Sequence, residues 1–294
     1  MNFSENNKKG YVLEVIISIT VIILIFCLTN NKIEKYTLLD ENISIDEKND
    51  KFLKRFTSKI MTPLILNNKI KNPSKIKNKN KILIITFDNR KNQEYIKIHN
   101  DNLDKYCKKW NFDYKFYDNC DKNVYWCKIY MVLDALNNNN NKYDYVMWMD
   151  SDTYIFNMDI NLADILNQCA SDIFIGLDNF SDSYNEPKYD MINAGVFVIK
   201  NSLIGKKYLK DCISSLDPSC IKEDGTLNGR WAGICYEQGI MNVMIDEKYK
   251  KYTTVLPNSI LLNLGKCDNS VFIMHLYGSS NYDRTKCFTS KEKV

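Results

Sequence analysis

The run Lys81-Ile82-Leu83-Ile84-Ile85-Thr86-Phe87 is short, continuous and apolar up to its last turn, the pattern of a strand buried on both faces of a parallel sheet. Working outward, the stretch from Asn89 to Trp110 carries Tyr95, Ile98, Leu103, Tyr106 and Trp110 at helical spacing, and Phe112 to Tyr117 reads as a strand again. That is one β-α-β unit. A second helix is predicted from about Val124 to Leu136, followed by a low-complexity loop at Asn137 to Asn141 and a buried strand from Tyr145 to Met149. Strands alternating with helices predict an α/β fold with a largely parallel sheet. Ligands of such sheets sit beyond the carboxyl ends of the strands, so chemistry is sought there.

The strand at Tyr145 delivers Asp150 and Asp152 at its carboxyl end. Residues i and i+2 of an extended chain project to one side, so both carboxylates are expected to face one cation, with Ser151 pointing away. Two oxygen donors suit Mg²⁺ or Mn²⁺ when diphosphate oxygens and water complete the shell. The plain alternative is an acidic loop cap. Against it stands the buried strand, which would bring two poorly solvated, mutually repelling carboxylates to the sheet edge, where a cation relieves them.

His275, one of two histidines, follows the strand-like run Val271 to Met274 just as the aspartates follow theirs. A lone histidine is more often structural than a ligand, but as a third ligand its imidazole would favour Mn²⁺ over Mg²⁺. His99 falls on a predicted helix and is read as structural. Asn193, Ala194 and Gly195 precede another apolar run; a glycine there lets a ligand approach the backbone, and an asparagine offers donor and acceptor to sugar hydroxyls. The alternative is an ordinary turn opening a strand.

Ahead of this domain the sequence changes character. Tyr11 to Thr29 is apolar except for Glu14, Ser18, Thr20 and Thr29, close to the roughly 20 residues that span a bilayer as a helix. It reads as a signal-anchor, because Phe26 to Asn31 supplies no signal-peptide cleavage site. Lys8 and Lys9 on one side balance Lys32 and Lys35 on the other, so charge alone does not orient it. A short head and a long tail favour a luminal domain, with Asn42-Ile43-Ser44 and Asn179-Phe180-Ser181 as glycan acceptors. The expected organisation is a tail (1–10), an anchor (11–29), a solvated stem (30–80) and a catalytic domain (81–294), with a short helix from Phe52 to Met61 in the stem. The net charge of +4, from 40 basic and 36 acidic residues, is concentrated in the Lys/Asn stretch from Asn67 to Lys81 and argues against a nucleic-acid footprint. Ten cysteines include no Cys-x-x-Cys pair, which disfavours a structural zinc site. With Cys27 in the anchor, nine remain, so at least one thiol stays unpaired in a monomer.

From about Lys81 to Cys287 the chain resembles the glycosyltransferases commonly called family 34, which group fungal Golgi α-galactosyltransferases and mannosyltransferases with plant xyloglucan xylosyltransferases. The resemblance rests on Asn102-x-x-x-Tyr106-Cys107, Trp126-x-Lys128, Trp148-Met149-Asp150-Ser151-Asp152, Asn193-Ala194-Gly195-Val196-Phe197, Glu237-Gln238 and His275. It implies a GT-A fold, a type II Golgi or other secretory-pathway membrane protein, and retaining transfer from a nucleotide-sugar, UDP-linked rather than GDP-mannose, to a glycan acceptor. It further implies that Asp150, Asp152 and His275 hold Mn²⁺ against the diphosphate. The donor would meet Thr86, Asn89, Lys128, Ser151, Asn193, Ala194, Gly195, Gly278 and Lys286, with Glu237 and Gln238 as catalytic residues beneath the reacting carbon. Three departures leave the donor open: the loop Thr86 to Asn89 lacks the expected glycine, Tyr236 replaces an acid, and Leu276 to Asn281 lacks the plant members' cysteine.

Two rivals come from other classes. A phosphoryl or nucleotidyl transferase would want a Gly-rich phosphate loop or a second acidic cluster, and neither is evident. A non-catalytic membrane-anchored protein would bind a sugar or nucleotide-sugar through a vestigial site. Self-association, or association with another chain, is left open, and the acceptor is expected near Asp217 to Gly233, where Arg230 and Trp231 lie.

Overall fold

A computed structural model of the protein describes residues 64–65, 80–90, 92–138, 142–178, 191–263 and 266–290. All fall within one compact unit, Ser44–Val294. In chain order the elements are β1 (Leu64–Ile65), β2 (Ile82–Phe87), α1 (Glu94–Trp110), β3 (Asp113–Tyr117), α2 (Cys127–Asn138), β4 (Tyr145–Met149), β5 (Thr153–Ile155), α3 (Leu162–Leu166), β6 (Ile173–Leu177), β7 (Ile192–Lys200), α4 (Leu203–Ser214), α5 (Glu237–Met244), β8 (Thr253–Leu256), β9 (Leu261–Asn263), β10 (Ile273–His275) and α6 (Asn281–Thr289).

Seven strands form the central sheet in the order β1-β8-β6-β7-β4-β2-β3. Neighbours are parallel except at β7, which runs antiparallel to both β6 and β4. This reversal brings the amino end of β7 to the edge where β2 and β4 end. The continuous apolar runs are explained by burial on both faces. Ile82, Ile84, Met147, Met149, Val196 and Val198 pack with Leu103, Tyr106 and Cys107 of α1, while α2 packs on β2 and β4, and α5 on β7. Each such side chain contributes on the order of 1.5–3 kcal/mol by leaving water.

A second, three-stranded sheet stands at the site edge in the order β5-β10-β9. Its register sets His275 opposite Thr153 on one side and Asn263 on the other. Asn102 of α1 fixes β5 by donating to Ile155 O (3.0 Å) and accepting from Ile155 N (2.9 Å).

The α/β class, the β2-α1-β3 unit and β4 agree with the sequence reading, and the mostly parallel sheet fits a GT-A architecture. Helix α1 begins at Glu94 rather than near Asn89, and α2 at Cys127 rather than Val124, because the Cys120–Cys127 disulfide and the turn on Asn123 O hold residues 120–126 outside the helix. The stem was expected to run to residue 80, yet Leu64–Ile65 pair with β8 as an edge strand of the central sheet. The span Tyr11–Thr29, the Phe52–Met61 helix and both glycan-acceptor tripeptides lie outside the described residues. Among the described residues no helix is long and apolar enough to cross a membrane.

Candidate active site

Beyond Met149 the chain does not stay extended. Thr153 N donates to Asp150 O at 3.1 Å and Thr153 Oγ1 to the same oxygen at 2.7 Å, so Asp150-Ser151-Asp152 forms a tight turn. The strand-based expectation for the two carboxylates is corrected here: the turn brings them round to one point. Ser151 does point away, into the protein, where its hydroxyl donates to Asp88 Oδ2.

His275 closes the group from the end of β10. Leu276 N donates to Asp152 O at 2.9 Å, and His275 Nε2 stands 3.1 Å from Asp152 Oδ1 and 3.9 Å from Asp150 Oδ2. One ligand atom from each of the three residues lies within 4.8 Å of the others. The imidazole is oriented from behind. Asn263 Nδ2 donates to Leu177 O at 2.7 Å, which leaves Asn263 Oδ1 as the acceptor 3.0 Å from His275 Nδ1. Nδ1 therefore carries a proton, which leaves Nε2 as the ring atom facing the two carboxylates; without its own proton, Nε2 would complete a donor set that fits a divalent cation. Gly195 makes room for this ring: a Cβ there would lie 2.1 Å from His275 Cε1.

The carboxylates are not uncompensated, which revises the electrostatic argument from sequence. Buried Lys128 reaches Asp150 Oδ1 (3.1 Å), Glu237 Oε1 (3.1 Å) and Ala194 O (3.3 Å), and Trp148 Nε1 donates to Asp150 Oδ1 at 2.6 Å. Arg284 Nη2 meets Asp152 Oδ2 at 2.8 Å, its Nε donates to Leu276 O at 3.3 Å, and its guanidinium lies 5.2 Å from the Tyr95 ring centroid. Three carboxylates thus face Lys128, Arg284 and His275. Burial by itself raises the Asp152 pKa, but the His275 ring and the Arg284 guanidinium outweigh it and hold the carboxyl at about 2. Burial opposes an imidazolium at His275, yet Asp152 and then Asp150 keep its pKa above the ordinary value. A divalent ion would replace that proton and turn the balanced cluster into one that attracts an anion.

The amino end of β7 packs behind the cluster, against His275 and Asp150. A register break opposite Gly176 frees Ala194 and Gly195 from regular pairing, and Gly195 O accepts from Asp150 N at 2.7 Å. Ala194 N donates to Gln238 Oε1 (3.0 Å), Gly195 N to Asn193 Oδ1 (2.8 Å), and both Gln238 Nε2 (3.2 Å) and Asn193 Nδ2 (3.3 Å) donate to Asp178 Oδ2. Glu237 and Gln238 open α5 and are buried. Burial raises the Glu237 pKa, with Lys128 pulling against it. Among the described residues, Glu237 Oε2 is a buried acceptor with no partner. Leaving such an acceptor unpaired costs on the order of 1–3 kcal/mol.

A cavity of about 390 Å³ opens in front of the aspartates, walled by Asp88, Asn89 and Arg90 after β2, by Val124, Tyr125 and Lys128, and by Trp148. Asn89, one of the residues expected to meet the donor, lines it. Thr86 does not: it is buried, and its Oγ1 stands 3.2 Å from His99 Nε2, with His99 Nδ1 2.7 Å from Thr153 O, so His99 is structural as read. Gly278 is exposed at φ 68°, and Lys286 is exposed on α6 with no ion pair among the described residues; the cation that reaches Asp152 is Arg284. The sequence reading missed Asp88, Arg90, Asp178, Asn263 and Arg284. Asp88 was findable, since it follows β2 as Asp150 follows β4; Asn263 and Arg284 carry no sequence signal of their own.

Three disulfides flank the site: Cys120–Cys127 next to Lys128, Cys220–Cys235 just before Glu237, and Cys267–Cys287 on the helix of Arg284. Among the described residues, Cys107, Cys169 and Cys212 form no disulfide.

Among curated proteins none matches this chain. Of solved structures, the crystal structure of a glycosyltransferase involved in the glycosylation of the major capsid of PBCV-1 superposes with a TM-score of 0.54 at 15% identity, covering 73% of this chain and 100% of that one. The apo-form glycosyltransferase GlyE of Streptococcus pneumoniae TIGR4 aligns with a TM-score of 0.42 at 11% identity, over 70% of this chain and 60% of its own. The first of these shares the fold. Residues 77–171, which hold β2 through β5 and both aspartates, match the model of the galactosyl transferase GMA12/MNN10 family.

Proposed function

We propose that this enzyme transfers a hexosyl or pentosyl group from a nucleotide-sugar, a UDP-sugar before GDP-mannose, to a glycan or glycoconjugate, with Mn²⁺ assistance and retention of configuration. The observation that carries the reading is the convergence of Asp150, Asp152 and His275, with the imidazole Nε2 turned toward the acids by Asn263. The bound ion supplies Lewis-acid stabilisation of the departing diphosphate. The chain's own residues do the rest.

Lys128, shared between Asp150 and Glu237, adds a fixed positive charge beside the leaving group, and Arg284 keeps Asp152 ionised and oriented. Glu237, through its unpartnered Oε2, and Gln238 stabilise the positive charge that grows on the sugar from the face opposite the diphosphate. The acceptor hydroxyl attacks from the face the diphosphate leaves, which takes its proton and gives retention. We assign residues 11–29 to a membrane anchor and the catalytic unit to a secretory-pathway lumen; three disulfides in the described residues support an oxidising compartment.

The test is incubation with a panel of nucleotide-sugars and Mn²⁺ without acceptor. Metal-dependent donor hydrolysis that disappears in Asp152→Ala supports the proposal. Full activity in EDTA rules the scheme out, and binding without turnover marks a sugar-binding protein instead.

A further inference from the structure

Six large apolar side chains are strongly exposed among the described residues, and four of them sit on two loops: Val124 and Tyr125 on one, Ile221 and Trp231 on the other. Each loop is closed by a disulfide, Cys120–Cys127 and Cys220–Cys235. The loops are docked on each other. Asn123 Nδ2 donates to Gly225 O at 2.9 Å, Trp126 Nε1 donates to Cys235 O at 3.0 Å, and Tyr125 meets Tyr236 edge-on at 5.0 Å between centroids.

The second loop is also seated on the catalytic helix. A Cβ at Gly239 would lie 2.0 Å from Gly233 O and 2.6 Å from Ala232 O, so the backbone beside Trp231 presses directly on the first turn of α5. Two successive turns, Gly233 N to Arg230 O and Tyr236 N to Gly233 O, then carry the chain from Trp231 to Glu237. Ala232 holds a left-handed φ of 59° to make this path. A non-glycine residue kept there costs on the order of 1 kcal/mol, which places a constraint on how Trp231 is presented.

We propose that the paired loops 120–127 and 217–235 form the platform for the acceptor sugar, with the exposed ring of Trp231 stacking on the apolar face of a pyranose. The inference rests on the donor reading above and goes further, to the residue and class of ligand. A saccharide is the occupant the observations favour, because the platform continues into the cavity through Tyr125 and into the catalytic helix through Tyr236. Indole and phenol faces edged by polar groups match a sugar ring, apolar on its faces and hydroxylated at its rim.

Trp231 is the one strongly exposed tryptophan of four, which gives the test a local signal. The full chain, Trp231→Ala and Trp231→Phe are assayed with the active nucleotide-sugar and a panel of methyl α- and β-glycosides of galactose, glucose, mannose and xylose. The ratio of transfer to donor hydrolysis is expected to fall roughly tenfold in Trp231→Ala and to recover in Trp231→Phe, with glycosides quenching the fluorescence of the parent but not of the phenylalanine variant. An unchanged ratio overturns the inference, as does a panel in which no glycoside accepts transfer or alters the fluorescence. Iodide that fails to quench Trp231 in the free protein also overturns it, since a second copy or another segment of the chain would then cover the face. If no donor is hydrolysed at all, it is the donor reading that has failed.

Discussion

Replacing Gly195 by alanine puts one methyl group against the ring of His275. The added Cβ would lie 2.1 Å from Cε1, 2.4 Å from Nδ1 and 2.7 Å from Nε2. Carbon atoms need roughly 3.5 Å, so the ring must retreat by about 1.4 Å or β7 must shift with Asp150 attached to it through Gly195 O. Coordination distances tolerate only about 0.2 Å. Either movement therefore removes the imidazole from the cluster and also breaks its 3.0 Å contact with Asn263. The expected result is a loss of at least about 100-fold in Mn²⁺ affinity, because disturbing a supporting contact alone costs 10–100-fold. The overpacking should cost about 1–3 kcal/mol of stability. Titration with Mn²⁺ followed by the electron paramagnetic resonance of the free ion, beside a thermal melt of the metal-free protein, separates the two effects. A folded Gly195→Ala protein that binds Mn²⁺ as tightly as its parent refutes the reasoning.

Other changes probe the groups around this point. Asn263→Leu removes the acceptor that orients His275 Nδ1 and should weaken Mn²⁺ binding by about 10–100-fold in the same titration. Arg284→Met strips Asp152 of its buried cation and should destabilise the metal-free fold by about 3 kcal/mol, with saturating Mn²⁺ restoring part of the loss in a melting curve. Burial pushes the Asp88 pKa up, but hydrogen bonds from Arg90 and Ser151 more than offset it and hold the carboxyl below the ordinary range. A depressed folded pKa contributes stability that is present above the unfolded value of about 3.9 and is lost as pH falls through the folded one. Asp88→Asn should therefore cost about 1 kcal/mol near neutrality, with Arg90 largely in solvent, and flatten the decline of melting temperature below about pH 4.

What was legible in the sequence followed from periodicity and from position at strand ends. The apolar runs at Ile82 and Tyr145 named two central strands, and Asp150, Asp152 and His275 were found because each follows such a run. The small sheet β5-β10-β9 was not legible, because its strands have three residues each and carry no period of their own. With it went Asn263, whose role exists only through the register that sets it beside His275. The reversal of β7 was also hidden, since an antiparallel strand buried on both faces reads like a parallel one. Lys286 was named as a cation near the donor; the Ser280 cap and the packing of α6 on α1 instead turn Arg284, two residues earlier, toward Asp152.

The central claim is that two aspartates and one imidazole grip a single divalent ion. Anomalous diffraction at the manganese edge, from crystals of the protein soaked with Mn²⁺ and UDP, tests it directly. One peak within coordination distance of Asp150, Asp152 and His275 Nε2, with diphosphate oxygens on its open side, is the predicted result. A diphosphate bound with no peak among these residues, or a peak that His275 does not touch, contradicts the account.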